Sequence, residues 1–269
     1  MEPQRPGSIG VTSARPDGAT TLALGLAALL SRTDRTLLID LNVERAEIAP
    51  LLDIEESRTV FHLAYNAQLS PVTQQELEDH LMWHEGLAVL PGVADLAQGQ
   101  QIRSHFVAGL MEAARAGFKH VVCDLGRVRP DLPPAAVGEA LLWAVAPTPL
   151  GIWAFDRAFR HAREAEAEWL GRALAVVTQE AADSLGGVPA YLNREYAIRV
   201  LGDLAYEPRF WRSVQVSNSI RALNVEIHDQ ARYLRAYGPD ALRTREALER
   251  LVGALAPLAT SEPISSLEA

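Results

Sequence analysis

The sequence is poor in the residues that most often carry reactive or cationic chemistry. It holds one cysteine, Cys123, and one lysine, Lys119, in 269 residues. A single cysteine excludes an internal disulfide. Its place in the apolar run from His120 to Asp124 marks a small core residue rather than a reactive thiol. Positive charge rests almost wholly on arginine, and the formal net charge is −9. Nucleic acid is a polyanion that needs a clustered basic surface. Here the arginines are interleaved with Asp and Glu, which disfavours DNA as a partner. No apolar stretch reaches the ~18 residues that cross a bilayer. Nor does the N-terminus show the charged, apolar and small-residue regions of a signal peptide. These absences predict a cytoplasmic chain with no direct membrane contact. Repeats and low-complexity runs are missing too. With 48% hydrophobic residues, the chain can bury a sizeable core.

Apolar segments alternate along the chain. Residues 1–7 and 259–269 read as polar tails around one domain at 8–258. Strands are expected at Ser8–Ser13, Thr36–Asp40, Leu87–Pro91, His120–Asp124, Ala140–Ala146, Ala173–Thr178 and Val200–Tyr206. Helices are expected at Thr20–Leu30, Ile102–Ala116, Ile152–Leu170 and Arg243–Leu255. Short strands that are apolar throughout, separated by helices, indicate an α/β fold. Its mostly parallel sheet of about seven strands is covered by helices on both faces. Right-handed crossovers then align the strand C-termini along one edge, where open α/β sheets bind ligands. Ser13, Asp40 and Asp124 all fall at that edge.

The first strand runs through Ser13-Ala-Arg-Pro-Asp-Gly-Ala-Thr-Thr21 into a helix. A strand–loop–helix of this kind offers backbone N–H groups and a helix N-terminus to phosphate. A working phosphate loop adds a lysine and a hydroxyl that binds Mg²⁺. The hydroxyl is present as Thr20, followed by Thr21, but Ala19 stands in the lysine position. Pro16 removes one N–H donor, and Asp17 adds a negative charge. Gly18 fits a tight turn against the helix start.

The stretch from Val11 to Leu24 resembles the deviant Walker A motif of the ParA/MinD family. Thr36–Asn42 is similar to the strand that carries the family's second acid, and Phe118–Arg127 to its Walker B strand. Leu204-Ala-Tyr-Glu-Pro208 resembles the family's loop near adenine. Within the family, Ala14-Arg15 and Gly18-Ala19-Thr20-Thr21 look like the loop of TadZ/CpaE proteins of tight-adherence pili. Asp124-Leu-Gly-Arg127 resembles a motif of the same subgroup. The resemblance implies ATP or ADP with Mg²⁺ at Arg15, Gly18, Ala19, Thr20, Thr21, Asp124 and Pro208. Thr20 and Asp124 would hold the metal, and Asp40 would orient the attacking water.

It further implies a homodimer, or a dimer with a related P-loop protein, that serves a pilus, secretion or partition machine. Recruitment to a cell pole or membrane complex would go through a partner. Without the lysine, ATP hydrolysis is expected to be weak or absent. An active ATPase for DNA partition or septum placement is the alternative, as is a pseudo-ATPase subunit beside an active paralogue.

Each residue also has a plainer reading. Thr20 could simply begin a helix, Asp124 cap a loop, Asp40 serve structure and Arg15 face solvent. His80 and His84 have the i, i+4 spacing of a zinc pair on a helix. No third ligand accompanies them, and a solvated helix face is the expectation. The five tryptophans are expected in the core, with Trp211 a candidate for a partner surface. The amphipathic closing helix carries mixed charge and is expected to pack on the core rather than on a membrane.

Overall fold

The computed structural model describes residues 7–67, 71–129, 134–180, 185–205 and 216–255. An eight-stranded sheet forms the centre, in the order β3-β4-β2-β5-β1-β6-β7-β8. The strands are β1 (Ser8–Ser13), β2 (Thr36–Asp40), β3 (Met82–His84), β4 (Leu87–Leu90), β5 (His120–Arg127), β6 (Ala140–Val145), β7 (Ala173–Glu180) and β8 (Arg199–Ala205). All neighbours run parallel except β3, which pairs antiparallel with β4. β1, β2, β4 and β6 are buried at every position. Burial on both faces explains why these strands read as unbroken apolar runs.

One face of the sheet carries α1 (Ala19–Leu30), α2 (Ile48–Leu52), α10 (Val216–Asn224) and α11 (Gln230–Leu255). α1 is apolar almost all round, with ten of its twelve residues buried, so it packs as a central helix. α11 kinks at Gly238–Pro239, because Pro239 has no N–H to continue the helical ladder. Its second half buries Leu248, Leu251, Val252 and Leu255, as expected of a core-packing closing helix.

The other face carries α3 (Val60–Asn66), α4 (Gln74–His80), α6 (Ser104–Gly117), α7 (Pro134–Val137), α8 (Pro149–Glu164) and α9 (Val188–Tyr196). A short α5 (Leu96–Gly99) follows β4. The single long helix expected from Ile152 to Leu170 is instead α8 and a separate 3-10 turn at Glu168–Arg172.

The eighth strand, β3, lies in a segment expected to be helical. α4 stops at His80, and the chain turns extended from Met82. His80 and His84 therefore share no helix face, and no metal-ligating cluster occurs among the described residues. Two tryptophans also depart from expectation. Trp83 on β3 and Trp153 on α8 are more than half exposed, whereas Trp143 and Trp169 are buried.

Trp143 anchors α8 to the sheet. Its ring centroid lies 4.7 Å from Phe155, 5.6 Å from Trp169 and 5.8 Å from Phe159. The indole Nε1 is buried without a hydrogen-bond partner, which offsets part of that packing. Trp143→Ala should therefore cost about 3–5 kcal/mol in urea denaturation. Trp143→Phe should stay within about 1 kcal/mol of wild type, because it sheds the unpaired donor and keeps an aromatic ring.

Candidate functional site at the C-terminal strand edge

β1 lies between β5 and β6, where the chain switches from one side of the sheet to the other. The crevice above such a switch point is where open α/β sheets bind ligands. Three strand ends are tied together there. The Thr12 hydroxyl donates to the Gly126 carbonyl at 3.0 Å. Val128 N–H donates to the Ser13 carbonyl, and Leu41 N–H to that of Asp124, both at 2.8 Å. Gly126 has φ +61°, and a Cβ there would stand 2.3 Å from Asn42. Only glycine permits that close approach.

The loop after β1 is held by its own residues. Asp17 N–H donates to the Arg15 carbonyl at 2.6 Å, closing a three-residue turn centred on Pro16. The Asp17 side chain turns inward and is only 8% exposed. The Ala146 N–H, just past β6, lies near its carboxylate and favours the charged form, and the Asp17 carbonyl accepts the Thr178 hydroxyl of β7. Arg15 Nε lies 3.8 Å from Asp17 Oδ1. Burial raises the Asp17 pKa, against the opposing pull of Arg15 and the Ala146 N–H. Gly18 then takes the left-handed conformation, φ 91°, as the N-cap of α1. Ala19 is buried, and Thr20 and Thr21 are half-buried in the first helical turn.

Two carboxylates stand side by side beneath this loop. Asp40 of β2 and Asp124 of β5 are register partners on adjacent parallel strands. Asp40 Oδ1 accepts Asn42 N–H, and its Oδ2 accepts the N–H groups of Glu47 and Ile48, all at 3.1 Å. Asp124 Oδ1 accepts Gly126 N–H at 3.0 Å. The Thr20 hydroxyl neighbours the Asp124 carboxyl and favours its charged form. Asp124 Oδ2 is nevertheless buried with no well-formed hydrogen bond. Burial drives the Asp124 pKa up to about 6, with Glu47 adding to the rise. Asp40 is raised well above its ordinary range, by burial first and by Asp124 second.

The structure thus brings Asp40, Asp124 and Thr20 together, with Arg15, Gly18, Ala19 and Thr21 on the loop and first helical turn that follow β1. Pro208 and Trp211 lie outside the described residues. Sequence reading missed the inward turn of Asp17 and the contact of Gly126 with Asn42. The Gly in Asp124-Leu-Gly-Arg127 was the available signal for the second.

Mg²⁺ takes hard oxygen ligands, and the orphaned Asp124 Oδ2 beside the Thr20 hydroxyl suits it. The phosphate side is thinner. Pro16 has no N–H, that of Asp17 is spent on Arg15, and Ala19 offers a methyl group where a cation would stand.

No protein-family model and no curated protein sequence matches the chain. Solved structures do. A ParA family ATPase from Chlorobium tepidum superposes with a TM-score of 0.66 at 13% identity, over 96% of this chain and 100% of that one. MinD from Pyrococcus horikoshii, complexed with Mg-ADP, gives 0.63 at 14% identity, over 94% and 98%. A chain of the MinC:MinD cell division protein complex of Aquifex aeolicus gives 0.63 at 16% identity, over 96% and 98%. The chain has the ParA/MinD fold. Its buried acids stand on strands of that fold, and their proton balance can be measured.

A carboxyl with a raised folded pKa holds its proton more tightly in the fold than in the unfolded chain. Its contribution is complete below the unfolded value near 4 and is lost as pH rises through the folded value. Without divalent cations or nucleotide, stability should fall between about pH 4 and 7, by on the order of 3 kcal/mol. Asp124→Asn should flatten that profile and exceed wild type at pH 8. Urea denaturation across pH in the presence of a chelator measures both.

Proposed function

We propose that this ParA/MinD-fold chain is a localisation or assembly factor of the TadZ/CpaE kind, serving a tight-adherence pilus or secretion system. It acts as a dimeric scaffold, with Mg-nucleotide as a structural ligand that is turned over slowly or not at all. The observation that carries this reading is the loop. Buried Ala19 fills the lysine position, and Asp17 is bonded into the protein beside it.

Phosphoryl transfer depends on positioning and on charge stabilisation. Removing a principal cation costs on the order of 3–4 kcal/mol, or 10²–10³-fold in rate. Arg15 is the one cation in the loop, and its guanidinium faces Asp17 rather than standing free. An active partition ATPase would need that arginine on phosphate. Thr20 and Asp124 would hold Mg²⁺, and the start of α1 would receive the phosphates. Mg²⁺ would offset the negative charge of the phosphates. Asp40, with both oxygens on backbone N–H groups, anchors the start of α2 and keeps the second acid in place.

Calorimetry with ATP and ADP tests the reading. Wild type should bind weakly and only with Mg²⁺, and Asp124→Ala should abolish the signal. Ala19→Lys should tighten binding by about tenfold or more. Steady wild-type turnover on the order of 1 s⁻¹, typical of a working enzyme, would sink the proposal.

A further inference from the structure

Large apolar side chains are costly to leave in water, and several cluster at one end of α8. Leu150 and Trp153, in its first two turns, are 53% and 56% exposed. Leu185, 45% exposed, is tied to the turn before α8 through its N–H on the Pro147 carbonyl. The helix has two opposed stripes. Phe155, Phe159 and Ala162 face the aromatic core. Trp153, Arg157, Arg160, His161 and Glu164 recur at helical spacing and line a groove of about 710 Å³. Ala14, at the start of the phosphate loop, and Arg127, at the end of β5, form its other wall.

Three arginines, Arg127, Arg157 and Arg160, and two acids, Asp156 and Glu164, line the groove. Asp156 is spent internally, because it holds Arg160 through two contacts, at 2.9 and 2.6 Å, and accepts the Tyr196 hydroxyl. Arg157 lies over the Trp153 ring at 5.6 Å. Arg127 and Arg157 make no ion pair among the described residues. Two guanidinium groups with no carboxylate partner among the described residues therefore flank an exposed indole, one of them stacked on it, on a chain of net charge −9. Glu164 closes the far end, about 16 Å from Trp153 at 1.5 Å per residue.

We propose that this groove docks a short acidic segment of a partner protein. An apolar side chain of the segment packs on Trp153, and its carboxylates meet Arg127 and Arg157. Guanidinium forks suit carboxylates, and exposed Trp and Arg are the residue types that most often dominate binding. A long polyanion fits less well, because it would run past a stripe of about 16 Å on a chain whose net charge is −9. Ala14 gives the docked segment direct contact with the phosphate loop. The groove stands on its own geometry, whatever the loop binds.

The test is an array of random ten-residue peptides probed with the full chain. Bound peptides should be enriched in Asp and Glu together with Leu, Phe or Trp. The tightest of them, resynthesised and labelled, should bind about tenfold or more weakly to the Arg127→Glu/Arg157→Glu variant, and likewise to Trp153→Ala. All three positions are surface-facing, and circular dichroism checks that the variants fold. Added salt should weaken binding to the wild type. Four results would overturn the proposal: no peptide bound up to 1 mM, enrichment of basic or neutral peptides, unchanged affinity in both variants, or tighter binding of a 20-nucleotide single-stranded DNA that the double variant abolishes.

Discussion

Two carboxylates, Asp40 and Asp124, sit in register on adjacent strands with almost no water around them. Like charges so placed repel, and burial penalises each charge separately. The surrounding elements answer that tension. Three backbone N–H groups converge on Asp40, which fixes the start of α2. Gly126 gives Asp124 one donor and lets Asn42 come close. One oxygen of Asp124 is left without a partner, facing the side from which α1 brings Thr20. A fold that keeps a buried acceptor unpaired retains a polar group that a bound cation would satisfy.

The loop above the pair is organised differently. A phosphate loop commonly takes its shape around an anion, through free N–H groups and a lysine. Here Asp17 ties the loop to the ends of β6 and β7 with contacts from the protein alone. Ala146, whose N–H lies near the Asp17 carboxylate, also leads through Thr148 into α8, whose N-cap is the Thr148 hydroxyl. The loop and α8 are thus joined by a short covalent and hydrogen-bonded path. A partner at α8 and a ligand at the loop would act on the same rigid piece.

Much of this was legible in the sequence because the parallel strands are buried on both faces and carry unbroken apolar runs. Ser8–Ser13, Thr36–Asp40 and the strand beginning at His120 all lie where the pattern put them. The acids at their ends followed from the same pattern. The remainder was hidden for physical reasons. β3 is the three residues Met82-Trp83-His84, too short to show a period of two. Short helices such as α2 and α5 are set by tertiary contacts rather than by local pattern. Asp17 reads as a polar loop residue, and its inward turn depends on Ala146 and Thr178, both far away in sequence. The cationic character of the α8 groove arises only when Arg127 is brought beside Arg157, thirty positions further along the chain.

The short antiparallel strand β3 also governs how molecules of this chain can meet. Without it, the apolar Leu87-Ala-Val-Leu90 strand would end the sheet and present a row of free backbone donors and acceptors to any passing strand. β3 occupies that row, yet it is too short to offer a long template of its own. On this flank, then, growth of the sheet from one molecule into the next is blocked at its first step. Ordered assembly is left to surfaces built from side chains, where charge and shape can choose the partner.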